Sequence, residues 1–327
     1  MVRPMNREKL KRTLIDVGRD VLIAFTVVCI VMAGLYAYCG IWPPMVVVES
    51  GSMQHSDVTS YVGVIDTGDM VFVKTVNGVD DVVTYVDGEA TGYSKYGAYG
   101  DVIIYRPNGL SEREDGSAVI PIIHRLVVWI DVNESAVNPE FNGTDYANIT
   151  FDVPSLNIFA TTEVLILQNY GYAGDEVRIN LGGLLTYYEN AGKAPHGGYI
   201  TMGDNNVPFY DQPQSGMYEP ILPEWIIGKA IGEIPWFGLI KLKVTGSPLH
   251  GVPSNSWTGL YVTLFLVLFV PFMIDMLMPR IVKWRKERRG AETVQESGQP
   301  PEAPEPTQDA EKQSKDDAPP LTRDKLD

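Results

Sequence analysis

VIPIIHRLVVWIDV, Val119 to Val132, is a run of β-branched and aromatic residues with His124 and Arg125 set side by side inside it. Its composition reads as a strand. In a strand, successive side chains face opposite sides, so the imidazole and the guanidinium part company there. A histidine in so apolar a strand needs a reason. Outward from it the same texture repeats: Met45 to Glu49, Met70 to Val76, Val102 to Arg106, Glu163 to Asn169, Glu176 to Leu181, Gly198 to Met202 and Trp225 to Ile234. Gly, Asp, Asn and Pro punctuate these runs, and no stretch between them carries a convincing helical period. The expectation is a mainly β fold, an antiparallel β domain over residues 43–256.

Two apolar runs flank that domain. Residues 21–40 carry no charge and are long enough to span hydrocarbon. Residues 257–278 form a second run whose one acid, Asp275, lies near its basic end. The chain has a net charge of −15, which argues against a nucleic-acid partner, since phosphates call for Lys and Arg. Residues 43–256 hold 26 Asp and Glu against 10 Lys and Arg, whereas the basic N-terminal segment 1–20 and the basic flank 279–289 are enriched in Lys and Arg. By the positive-inside rule both termini are expected in the cytoplasm and the acidic middle outside it, in a cell membrane spanned twice. An ER membrane fits less well, because the middle segment has no cysteine; Cys29 and Cys39 both fall in the first span. AYCGIWPPM is a poor cleavage site, so the first run is read as an anchor and not as a removed leader.

The tail, 290–327, is rich in Pro, Glu, Gln and Asp, with little to bury, and is expected to be disordered. Asn133, Asn142 and Asn148 form sequons in a stretch placed outside, where glycosylation is plausible. The four histidines have no ligand spacing, so neither a metal nor a cofactor is expected.

Twelve residues past the end of the first span lies Ser52, in the stretch SGSM, Ser50 to Met53. A serine hydroxyl becomes a useful nucleophile when a base takes its proton during attack. His124 is the candidate base for Ser52, and Asp204 or Asp211, in the polar turn TMGDNNVPFYDQ, is the candidate group to orient it. His55, His196 and His250 read as loop residues. A lysine must be desolvated enough to be neutral to serve as a base; Lys74 is set aside because of its place at the end of the strand GDMVFV.

Six stretches together resemble the type I signal peptidase family, in its ER and archaeal branch. They are SGSM at 50–53, GDMVFV at 68–73, GDVIIYR at 100–106, HRLV at 124–127, GDNN at 203–206 and IGKAIGEIPWFG at 227–238. The resemblance implies an antiparallel β catalytic domain of signal-peptidase type. It also implies a membrane-bound serine endopeptidase cutting signal peptides from secretory preproteins after small residues. Ser52 matches the nucleophile, His124 the general base, and Ser50 an oxyanion-hole hydroxyl. Asp211 matches the orienting acid and Asp204 a supporting one. Preproteins, the bilayer and the protein-export translocon are the partners it implies. This chain has Gln54-His55 where the family has Glu-Pro or a proline, and the long gaps mark 77–99 and 133–172 as insertions. Without catalysis, the same features describe a membrane-anchored β domain serving as an adhesin or chaperone, with SGSM as a turn.

Overall fold

The computed structural model describes residues 7–133, 146–212, 219–249 and 251–297. In chain order the elements are α1 (Arg7–Cys39), β1 (Met45–Val47), β2 (Met70–Lys74), α2 (Tyr85–Thr91), β3 (Ser94–Lys95), β4 (Ala98–Tyr99), β5 (Val102–Tyr105) and β6 (Ile122–Val132). There follow β7 (Phe151–Val153), β8 (Ile158–Thr161), β9 (Val164–Tyr170), β10 (Asp175–Asn180), α3 (Leu181–Ala191), β11 (Gly198–Met202), β12 (Ile226–Ile234), α4 (Gly238–Thr245) and α5 (Ser256–Ser297). The chain divides into two compact units, 1–262 and 263–327.

The expectation of a mainly β fold is corrected: the chain is mixed α/β, built on an open sheet. Three helices inside residues 43–256 account for much of the difference. In α3 the buried residues are Leu181, Leu184, Leu185 and Tyr188, which lie on one helical face. That period spans only two turns and starts with Gly182-Gly183, which resembles a turn in sequence. The Asn180 side chain accepts from the Gly183 N–H, and Gly192 closes the other end at φ 62°. For α2, Thr84 supplies the N-cap, accepting from the Asp87 N–H, and Gly92 the left-handed end. In α4 only Gly238, Leu239 and Leu242 are buried, too few for a legible stripe.

Eight strands form the main sheet, in the order β1-β2-β12-β5-β6-β7-β8, with β11 also pairing β6. All these pairings are antiparallel. Strand β6 is the hub, bonded to β5, β11 and β7. The segment 133–172 is not an appendage. It contributes β7 and β8 to the sheet, and its Ile149, Phe151, Val153, Leu165, Leu167 and Tyr170 enter one core with Val127 and Val128 of β6. Fully burying a side chain of this size stabilises by about 1.5–3 kcal/mol, so these residues are integral to the domain. Asn142 and His250 lie outside the described residues, as do 298–327; residues 290–297 of the expected tail are helical, the end of α5.

Two helices are long and apolar enough to cross a membrane: Leu14–Cys39 within α1 and Ser256–Arg285 within α5. Along Leu14–Cys39 the one buried residue is Cys39, at the end that meets the domain, and the rest of the span suits a lipid-facing helix. Both features support a membrane-anchored chain that spans twice. The first span begins seven residues before the expected 21–40, and the helix itself continues back to Arg7. At its other end Gly40 takes φ 72° and donates to the Tyr36 carbonyl, while the Thr75 N–H donates to the Cys39 carbonyl at 2.8 Å. The end of the span is thereby tied to the end of β2, and β1 begins five residues later.

Candidate active site

Ser52 sits in the turn that follows β1. The Gln54 N–H closes back on the Gly51 carbonyl, and the buried Gln54 side chain bonds Asp57 and Thr67. A second loop grips this turn from across the chain. The Asn205 N–H donates to the Ser52 carbonyl at 2.8 Å, and Asn205 Nδ2 donates to the Gly51 carbonyl at 3.0 Å. Gly203 makes that approach feasible. A Cβ there would stand 2.5 Å from the Ser52 carbonyl oxygen and 2.9 Å from His124 Nε2.

His124 lies on β6, opposite Ile103 of β5. Because β6 alternates, His124 and Leu126 share one face, and Thr201 pairs with Leu126 from β11. Tyr105, two residues beyond Ile103, belongs to the same face. This register assembles a polar cluster inside an apolar sheet. His124 Nε2 stands 2.9 Å from Ser52 Oγ, and its Nδ1 stands 2.6 Å from Asp211 Oδ2. The same Asp211 oxygen accepts from Tyr105 Oη at 2.8 Å and from Thr201 Oγ1 at 2.7 Å. Asp211 and His124 are both buried. An acceptor at Nδ1 places the ring proton there and leaves the Nε2 lone pair facing the serine hydroxyl. Burial, with the Asp211 charge beside it, raises the Tyr105 hydroxyl well above its usual range, so it stays a donor.

Ser50 Oγ lies 3.2 Å from Ser52 Oγ. Asp204 does not touch His124 through any of its bonds: its carboxylate is held by Arg125, Nε to Oδ1 at 2.7 Å and Nη2 to Oδ2 at 2.6 Å. Burial opposes its ionisation, but the Arg125 charge and hydrogen bonds outweigh that and keep the carboxyl below its usual range. Of the two acids that the sequence left open, Asp211 is the one that meets the imidazole.

Sequence reasoning missed Tyr105, Thr201 and Gln212, whose Oε1 accepts the Thr201 N–H. Tyr105 carried one available signal, a hydroxyl within an otherwise apolar strand. His55 lies in the loop after β1 as expected, but it is not solvated: its side chain is 6% exposed and 3.0 Å from Asp204 Oδ2. His196 is half-buried and bonds Glu219. Lys74 Nζ lies over the Tyr38 ring, 5.1 Å from its centroid.

The serine and histidine open into a groove of about 820 Å³. One wall is β1 and its continuation through Glu49; the other is Ile120 to His124. Strand β1 ends the sheet order, so one of its edges is unpaired within the described sheet. Lys241 of α4 also lines the groove and pairs with Glu49 at 3.0 Å. Among the described residues no group of three or more His, Cys, Asp or Glu is placed to hold a metal ion.

No family model matches the chain, and no curated protein matches it. The expectation of a signal-peptide-processing enzyme was tied to a mainly β catalytic domain. The mixed α/β domain overturns that assignment, and the comparisons add nothing in its place. What stands is coarser: two membrane-length helices around a mixed domain whose sheet brings a serine, a histidine and an aspartate into one hydrogen-bonded chain.

Proposed function

We propose that this protein is a membrane-anchored serine hydrolase acting on an acyl bond. One observation carries the reading: the continuous chain Asp211–His124–Ser52, with contacts of 2.6 and 2.9 Å, at a groove beside a free strand edge. Ser52 Oγ attacks the carbonyl carbon while its proton passes to His124 Nε2. Asp211 holds the imidazole tautomer and stabilises the imidazolium that forms. The proton then goes to the leaving group, the acyl-enzyme forms, and water attacks it with His124 again taking the proton. The Ser50 hydroxyl is near enough to donate to the oxyanion, a contribution of roughly 3 kcal/mol or more where such a donor is well aimed.

The groove runs along β1, whose unpaired backbone groups can hold an extended acyl substrate. The basic flanks support placing both termini in the cytoplasm and the domain outside, which sets Ser52 near the outer membrane surface.

The test is covalent. Full-length protein in detergent is treated with a fluorophosphonate, and the modified residue is mapped by mass spectrometry. The expected label is on Ser52, lost in Ser52→Ala and strongly slowed in His124→Ala. A wild-type chain that takes no label, or takes it elsewhere, overturns the proposal.

A further inference from the structure

His55 lies three residues from Ser52 on the same turn, and three separate parts of the chain close around it. Its Nε2 donates to Asp204 Oδ2 at 3.0 Å. Its ring stacks on Tyr172, with centroids 3.9 Å apart and planes 15° apart. Its edge faces Gly97, where a Cβ would come within 2.7 Å of His55 Cε1. Gly97 also holds φ 79°, so this close approach has both the space and the backbone that glycine allows.

The origin of these contacts matters. Gly97 belongs to the segment 77–99 and Tyr172 ends the segment 133–172, the two stretches read as insertions. Tyr172 lies in the turn between β9 and β10. Both stretches therefore meet on one side chain of the nucleophile turn.

From His55 the contacts run directly into the site. Asp204, which accepts from His55, is clamped by Arg125, the neighbour of His124. Arg125 is itself anchored on the carbonyls of Lys95, Ala98, Tyr99 and Gly100. On either side of Asp204, Gly203 packs on Ser52 and His124, and Asn205 bonds the Ser52 carbonyl. A shift of the Ser52 turn relative to β6 must break or stretch the His55–Asp204 bond.

We propose that His55 is a positioning residue: it latches the Ser52 turn to the Asp204–Arg125 pair, and the two inserted segments hold that latch shut through Tyr172 and Gly97. The latch sets the distance from Ser52 to His124 without touching the reacting atoms. This inference rests on the hydrolase reading above.

The experiment measures fluorophosphonate labelling of Ser52 in the full-length protein, with the maximal rate separated from reagent affinity. The variants are His55→Leu, His55→Gln, Tyr172→Ala and Tyr172→Phe, each assayed well below its own melting temperature. A misplacement of about 1 Å can cost on the order of a hundredfold. The expected result is a maximal rate lowered about tenfold to a hundredfold in His55→Leu, with reagent affinity unchanged. His55→Gln, whose amide can still donate to Asp204, recovers most of the rate. Tyr172→Ala is slow and Tyr172→Phe, which keeps the stacked ring, is not. His55→Leu labelling at the wild-type rate overturns the latch, as does His55→Gln as slow as His55→Leu. If wild type itself takes no label, the hydrolase reading fails and the latch with it, an outcome distinct from the first two.

Discussion

Tyr105 Oη donates to the same oxygen of Asp211 that receives His124 Nδ1, at 2.8 Å against 2.6 Å. With Thr201 Oγ1 as a third donor, the carboxylate has little freedom to turn. The aspartate is thus aimed by two residues that never approach the serine through a bond of their own. Removing the phenol oxygen in Tyr105→Phe preserves the ring and deletes one donor. A hydrogen bond to a charged group is worth about 1.5–3 kcal/mol, so the Ser52 labelling rate should fall roughly tenfold to a hundredfold. An unchanged rate would mean that Thr201 alone suffices to orient Asp211.

Asp211→Asn should be far more damaging. The amide can present an N–H to Nδ1, which favours the tautomer that carries its proton on Nε2 and removes the base from Ser52. A loss of about 10⁴ accompanies that substitution in the serine-protease triad, and a similar order is expected here. Asp204→Asn, which leaves His124 Nδ1 bonded, should lose less. Single-turnover labelling of both variants separates the roles of the two acids, and equal losses would contradict the division drawn here.

Gly203→Ala tests the close packing of the two loops. The added methyl meets the Ser52 carbonyl at 2.5 Å and His124 Nε2 at 2.9 Å. One of them must move. The expected outcome is a labelling rate reduced by on the order of a hundredfold. Far-UV circular dichroism should still report a folded chain, because the clash is confined to the loop.

Stability should depend on pH through a second group of acids. Glu233 is pushed up to about 7 and Asp69 to about 7, both chiefly by burial, with Asp66 adding repulsion to each. Asp66 itself is raised to about 6 by burial. Glu233 Oε2 is buried without a hydrogen-bond partner among the described residues, while its other oxygen accepts from the Gly63 N–H. A carboxyl whose folded pKa lies above its unfolded one binds its proton more tightly when folded. Its contribution is complete below the unfolded value near 4 and is lost as the pH climbs to about 7. The melting temperature of the detergent-solubilised protein should therefore rise between pH 8 and pH 5. Glu233→Gln, neutral at every pH, should flatten that rise. A melting temperature that falls over this interval, with Glu233→Gln parallel to wild type, would show that these acids titrate normally.

Some of this was open to inspection along the chain. The membrane-length runs are legible because spanning hydrocarbon is a matter of length and composition alone. Most sheet strands are legible because β-branched texture and turn residues act within a few positions. Helices α2, α3 and α4 were missed because each is short and carries glycines at one or both ends that mimic turns. Ser52, His124 and Asp211 could be named as residue types with the right chemistry, and their mutual contact could not.

That contact depends on long-range register. Ser52 and His124 are 72 residues apart, and Tyr105 and Asp211 are 106 apart. Sliding β5 or β11 by one residue against β6 would turn Tyr105 or Thr201 to the opposite face and leave Asp211 unsupported. The chain's local chemistry thus determined the anchors, the strands and the candidate reactive groups. Only tertiary packing decided which acid meets the imidazole and what surrounds His55, because both follow from how distant strands align.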